Sequence, residues 1–110
     1  MTIEINGKEY ELIFGLKFIR LMDEQYARST DAISIGRGIS TVFTRLQMSD
    51  PVVCFDIVRF ATVTQKPKLK DEDIEGWLEE QDIEELCENF TKALAEAPLT
   101  KGQMKKLQSE

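Results

Sequence analysis

The sequence contains no histidine, and this absence bears directly on the kind of protein it encodes. Histidine is the commonest general base near neutral pH and the commonest metal ligand in proteins. A cysteine nucleophile would lack its usual partner, and Lys, Asp or Glu would have to carry any acid–base chemistry. The adjacent acids Asp23-Glu24 and Glu79-Glu80 point to different sides of a helix and form no catalytic pair. We therefore expect no enzyme activity and no cofactor.

Cysteine and long apolar runs are also scarce. Cys54 and Cys87 lack Cys-x-x-Cys spacing, and both fall on the apolar faces of predicted helices. We expect them to be reduced, buried and inert in a cytoplasmic protein. No apolar run approaches about 18 residues and no basic, apolar leader begins the chain, so neither membrane insertion nor secretion is expected.

Charge is distributed unevenly along this chain of 110 residues, whose net charge is −6. Residues 71–88 hold ten of the twenty acidic side chains and neither Lys nor Arg, which leaves a net charge of +4 on the remainder. A negative total without a stripe of basic and aromatic residues argues against nucleic-acid binding. The sequence thus predicts a weakly basic body with an acidic helical segment.

The first predicted element is a β-hairpin. Thr2–Asn6 and Lys8–Ile13 alternate apolar and polar residues, and Asn6-Gly7 between them tolerates the positive φ angles of a tight turn. Two strands alone are only marginally stable, so one face of the hairpin must pack on helices.

The segment that organises the rest of the fold covers residues 51–63, in which only Asp56, Arg59 and Thr62 are polar. Asp50 can cap it and Pro51 suits its first position, so we predict a central, mostly buried helix. Asp56 and Arg59 share a stripe that can face water or a partner. Helical spacing predicts further helices at residues 16–27 and 38–47, from residue 71, and from residue 83 to before residue 98.

Together these elements predict an α+β fold, with an N-terminal β-hairpin packed on a mainly α-helical bundle of about five helices. Residues 1–97 are expected to form a single domain, and the polar, basic residues 98–110 a flexible C-terminal tail. Residues 29–38 are interpreted as a plain loop, because Gly36-Arg37-Gly38 lacks the Lys-Ser/Thr that follows in a phosphate loop.

The acidic stretch leaves two alternatives open. Residues 71–82 place acids at the first, third, fifth, ninth and twelfth positions of a calcium-binding loop, with Gly76 at the sixth. Glu75 and Asp82 depart from that pattern, however, and Ile74 and Trp77 fit a helix instead. Alternatively, the protein is an acidic adaptor or inhibitor, antitoxin-like or a decoy, that binds a basic partner surface through residues 71–88. Such binding would weaken steeply with salt.

The order of features carries a family resemblance. The segments are Ile3-Glu-Ile-Asn-Gly-Lys-Glu-Tyr-Glu-Leu-Ile-Phe-Gly, then Leu16-Lys-Phe-Ile-Arg-Leu-Met-Asp-Glu, a glycine-containing loop, and Asp50-Pro-Val-Val opening an apolar helix. Over residues 2–95 this pattern resembles the tail assembly chaperones of long-tailed phages and prophages of Gram-positive bacteria. The resemblance implies a non-enzymatic protein that binds the tape measure protein and keeps it soluble during tail morphogenesis. It also implies the host bacterial cytoplasm as location, absence from the mature virion, a homo-oligomer, and pairing with a frameshifted longer form of the chain.

The apolar surplus of the sequence suggests where partners bind. The central and last predicted helices offer more apolar area than a domain of this size needs to bury internally. We therefore predict protein contacts, and no catalytic, cofactor or metal site, at Phe55, Val58, Phe60, Phe90 and Leu94.

Overall fold

A computed structural model of the protein describes residues 1–26 and 37–109, without the side chain of Arg37. This part of the chain contains two strands and six helices: β1 (Thr2–Ile5), β2 (Lys8–Glu11), α1 (Leu16–Tyr26), α2 (Arg37–Gln47), α3 (Pro51–Ala61), α4 (Asp71–Glu79), α5 (Ile83–Glu96) and α6 (Lys101–Gln108). The α+β fold class is confirmed, with one helix more than the five expected. The loop predicted at residues 29–38 lies outside the described residues up to position 36.

The hairpin forms where the sequence predicts it. Asn6 and Gly7 adopt φ angles of 55° and 77°, and this left-handed turn brings the two antiparallel strands into register with Ile3 opposite Tyr10. Ile3, Ile5 and Tyr10 are buried on one face of the sheet. The hairpin therefore contributes one wall of the core, as a two-stranded sheet must if it is to be stable.

The side-chain amide of Gln65 fastens the segment after α3 to the edge of the sheet. Its Oε1 atom accepts a hydrogen bond from the Glu11 N–H at 3.0 Å, and its Nε2 atom donates to the Glu11 carbonyl. Nearby, the Tyr10 hydroxyl donates to the Pro67 carbonyl at 3.2 Å. These bonds hold the chain between α3 and α4 against β2.

Helix α3 is central, because it contacts α1, α2, α4 and α5. Asp50 caps it by accepting a hydrogen bond from the Val52 N–H at 2.8 Å, and Pro51 occupies the first helical position, as predicted. The helix ends at Ala61 and not at Val63. Six of its side chains are buried: Val53, Cys54, Asp56, Ile57, Val58 and Ala61.

Helices α1 and α2 make their closest approach at Gly38. The Gly38 N–H donates to the Asp23 carboxylate at 2.8 Å, so a residue of α1 caps the start of α2. A Cβ atom at position 38 would lie only 2.5 Å from the backbone nitrogen of Asp23. The sequence predicts a plain turn at this glycine, whereas the structure gives it a packing role.

Residues 101–108 of the predicted flexible, polar tail form helix α6. Met104 is fully buried, and α6 contacts both α2 and α5. The buried Thr100 hydroxyl donates to the Leu94 carbonyl at 2.6 Å, which ties the start of α6 to the end of α5. One buried methionine thus anchors a helix that is otherwise polar. The placement of the domain boundary at residue 97 stays a prediction.

Buried apolar side chains from both strands and from each of the six helices form one core cluster. Within residues 1–26 and 37–109, no helix combines the length and the apolar character that crossing a membrane requires.

Candidate protein-interaction surface

The five predicted contact residues divide into two groups. Val58, Phe90 and Leu94 are fully buried within the chain, so their side chains are part of its own core. Phe55 and Phe60 are half-buried at the edge of that core and keep part of their rings on the surface of α3. Only these two are placed where a partner could touch them without unfolding the domain.

The exposed apolar surface near Phe55 continues toward the start of α3. Val52 lies three residues before Phe55, so the two side chains are neighbours on the helix surface, and Val52 is 59% exposed. Met48, in the turn between α2 and α3, is 73% exposed. We call Met48, Val52 and Phe55 the corner patch. At the other end of α3, the Arg59 guanidinium covers the Phe60 ring at 5.9 Å from its centroid.

A larger apolar groove lies between the β2–α1 connection and the end of α5. We define the apolar groove by six residues that line it: Met1, Ile13, Phe14, Ala93, Ala97 and Leu99. Its volume is about 860 Å³, and it is open to solvent. Apolar side chains with this much exposed surface are more typical of a binding site than of a finished core.

The walls of the apolar groove are held by backbone contacts between distant segments. The Ile13 N–H donates to the Ala61 carbonyl at 3.0 Å, and the Leu12 N–H donates to the Met1 carbonyl at 2.8 Å. Both wall residues, Met1 and Ile13, therefore have fixed backbones while their side chains are 41% and 45% exposed. Glu11, Lys92 and Glu96 also line the groove and supply its charged side chains.

A buried polar network connects α3 with α1 through Asp56 and Tyr26. Asp56 is only 6% exposed, which corrects the prediction that it faces water or a partner. Its carboxylate accepts a hydrogen bond of 2.5 Å from the Tyr26 hydroxyl, and this bond explains how the carboxylate can be buried. The Arg45 guanidinium stacks on the Tyr26 ring at 5.1 Å and forms an ion pair with Asp50 at 3.0 Å.

Burial dominates the electrostatics of this network. It raises the pKa of Asp56, against the lowering effects of the Tyr26 hydrogen bond and of the Arg59 charge. The pKa of Tyr26 is also raised, by burial first and then by its bond to Asp56. The network has the character of a packing contact between α1 and α3, since both groups are engaged with each other.

The acidic segment is helical and not a calcium-binding loop. Residues 71–79 form α4, with Ile74 buried and Trp77 packed on the core, as the helical interpretation predicts. Within the described residues, acidic and cysteine side chains form no group that could hold a metal ion. Most of the carboxylates of α4 and of the first half of α5 lie on the surface. The segment is therefore a solvated acidic face.

The groove residues were missed by the sequence analysis for a physical reason. Met1, Ile13 and Leu99 lie at the ends of elements, where neither strand nor helix periodicity identifies a shared face. Ile13 carried the one available signal, because it points away from Leu12 and Phe14 in an apolar run and so cannot be buried on the same face.

Comparisons with known proteins complete the description. A family model described as "Phage tail assembly chaperone protein, TAC" matches residues 2–108, nearly the whole chain. The searches of curated proteins and of solved structures gave no match. The family match includes α6 as well as the hairpin and the five preceding helices. On that match, the chain belongs to the phage tail assembly chaperone family.

Proposed function

We propose that this protein is a non-enzymatic chaperone that binds the phage tape measure protein and keeps it soluble while the tail assembles. The single observation that carries the proposal is the apolar groove, an open apolar surface on a domain whose own core is already closed. The family membership supports a role in tail assembly, and the groove supports a protein client with an apolar face.

The lining of the groove suits a helical client. An amphipathic helix binds by laying one apolar stripe into a groove whose rim is polar. Ile13, Leu99 and Met1 supply exposed apolar contacts, and Glu11 and Lys92 offer charges of both signs to the flanks of such a helix. Because the contacts are mainly apolar, the complex should survive high salt, in contrast to an acidic adaptor that binds through residues 71–88.

Self-association completes the proposal. The corner patch offers apolar area outside the groove for contacts with a second copy or with a frameshifted longer form of the chain. Phe60 remains a predicted contact on α3. Val58, Phe90 and Leu94 contribute to the groove and the corner patch only indirectly, because they stabilise the core that holds both surfaces in place. The proposed location is the host cytoplasm, with release of the chaperone before the virion is complete.

The test is co-expression with the tape measure protein of the same phage, followed by light scattering of the soluble fraction. We expect a soluble joint complex at low and at high salt. Ile13→Asp or Leu99→Asp should reduce the recovery of that complex at least about tenfold while the variant stays folded, since both side chains are exposed. Leu16→Asp is the matched control, because it adds the same charge at an exposed apolar position outside both the groove and the corner patch.

Two results would contradict the proposal. A client that is equally soluble without this chain would remove the need for a chaperone. If the complex dissociates at high salt and Ile13→Asp does not affect it, the binding site lies on the acidic face and not in the groove.

A further inference from the structure

The two cysteines of the chain meet inside the core. Cys54 lies in the first half of α3 and Cys87 in the first half of α5, and their Sγ atoms are 3.4 Å apart. At this distance one thiol donates a weak hydrogen bond to the other. Both side chains are buried and both thiols are free. From the sequence we expect two inert thiols on separate helices, whereas the structure places them in direct contact.

The contact is close to the geometry of a covalent bond. The sulfur atoms of a disulfide are about 2.0 Å apart, so bond formation requires them to approach by little more than about 1 Å. Rotations about the two Cα–Cβ bonds move the sulfur atoms relative to each other. Since the chain has two cysteines in all, the disulfide that forms within one molecule has a single possible pairing.

The two thiols differ in access to solvent. Cys54 is 0% exposed, whereas Cys87 is 2% exposed and lines a surface cleft of about 190 Å³ beside the turn between α2 and α3. Glu84 and Glu88 line the same cleft. A small reagent therefore meets Cys87 first, and its acidic surroundings favour neutral or cationic reagents over anionic ones.

We propose that Cys54 and Cys87 form a thiol–disulfide switch that reversibly cross-links α3 to α5. The oxidant is a low-molecular-weight disulfide. The Cys87 thiolate attacks one sulfur of the reagent, which leaves a mixed disulfide on Cys87 and releases one reagent thiol. Cys54 then loses its proton and attacks the Cys87 sulfur, which forms the Cys54–Cys87 bond and expels the second reagent thiol. Two protein thiols are oxidised and one reagent disulfide is reduced.

Burial sets the pace of this exchange. It raises the pKa of Cys54, and it also raises the pKa of Cys87, so few thiolates are present near neutral pH. The first step consequently waits for local opening of the cleft between the α2–α3 turn and α5. Once formed, the bond closes a loop of about 33 residues and restrains α3, the central helix of the fold.

The test exposes the full, folded chain to cystamine, which is cationic, and then labels the remaining thiols with iodoacetamide in denaturant. We expect intact-mass spectrometry to show the loss of two hydrogen atoms, with no label and no added reagent. The melting temperature should rise by roughly 10 °C, and dithiothreitol should reverse both changes. Glutathione disulfide, which is anionic, should react more slowly than cystamine. Added salt should reduce the difference between the two reaction rates, because it screens the acidic side chains beside Cys87.

Single variants separate the two roles. Cys54→Ala should stop at a mixed disulfide on Cys87, and Cys87→Ala should keep Cys54 as a free thiol. The unfolded wild-type chain serves as the control that shows the dose of cystamine to be sufficient. The proposal is overturned if both thiols of the folded chain remain free at that dose. It is also overturned if the products are two mixed disulfides or a disulfide between chains, or if oxidation lowers the melting temperature. These readouts need no client and so do not depend on the proposed chaperone role.

Discussion

Gly38 shows at the scale of one residue how closely α1 and α2 pack. An added Cβ atom would lie 2.5 Å from the Asp23 nitrogen, a backbone atom that cannot move independently of its helix. We predict that Gly38→Ala lowers the free energy of unfolding by about 1–3 kcal/mol, because it forces the two helices apart. Urea unfolding followed by circular dichroism would measure the change.

Gly76→Ala is the matched control for that substitution. Gly76 also lies within a helix, but no atom outside its own turn comes within 4 Å of the added Cβ. Alanine should raise the free energy of unfolding there by about 0.5–1 kcal/mol, as helix propensity dictates. Equal effects at the two glycines would show that α1 and α2 are not in contact at Gly38.

Asp56 gives the protein a specific dependence on pH. Burial raises the pKa of Asp56, so the folded state binds its proton more readily than the unfolded state does. Protonated Asp56 therefore contributes to the free energy of unfolding. This contribution is fully present below the ordinary pKa of an aspartate and is lost as the pH rises through the raised pKa of the folded state. We predict that Asp56→Asn removes this dependence. When the pH is lowered from neutral to about 4, the free energy of unfolding of the wild type should rise relative to that of the variant.

Tyr26→Phe tests the same network from the other side. The hydrogen bond from the Tyr26 hydroxyl lowers the pKa of Asp56. The free energy of unfolding of Tyr26→Phe should therefore depend more strongly on pH than that of the wild type. Parallel pH profiles for the wild type, Asp56→Asn and Tyr26→Phe would contradict the assignment. The sequence placed Asp56 on a polar stripe because its partner Tyr26 is 30 residues away, beyond the reach of helical periodicity.

At the scale of elements, local signals were sufficient for most of the fold. The Asn6-Gly7 turn and the Asp50-Pro51 start of α3 each act within a few residues. Such signals need no knowledge of the tertiary structure, and the elements that they mark were predicted. Helix α6 has no comparable signal, since Thr100 makes no side-chain capping bond to it.

Met104 is the residue that makes α6 part of the domain. It is fully buried in a helix whose neighbouring side chains are mostly lysine and glutamine. We predict that Met104→Ala lowers the free energy of unfolding by about 2–5 kcal/mol, as large-to-small changes in a core do. Lys105→Ala, at an exposed position next to it, should change stability by less than about 0.5 kcal/mol. A flexible tail at residues 98–110 would instead make the two variants alike in thermal and urea unfolding.

At the scale of the whole molecule, the sequence predicted excess apolar area but not its location. Three of the five predicted contact residues fill the core, whereas the apolar groove is built from Met1, Ile13 and Leu99. Met1 and Ile13 lie near one end of the chain and Leu99 near the other, and they come together where the β2–α1 connection faces the end of α5. Charge was easier to predict, because the acidic residues 71–88 are contiguous in sequence and stay on the surface as α4 and α5 form.

The Gln65 amide protects an edge of the β-sheet against pairing with strands of other molecules. A strand edge offers backbone groups with which a foreign strand can pair, and such edges seed aggregation. Gln65 presents to Glu11 the same donor and acceptor that a peptide group of a third strand would present. The Gln65 side chain therefore occupies the hydrogen-bonding positions of Glu11 that a neighbouring strand would use, at the edge of β2 beside the apolar groove. The edge of β2 is thus protected at Glu11 against pairing with a foreign strand.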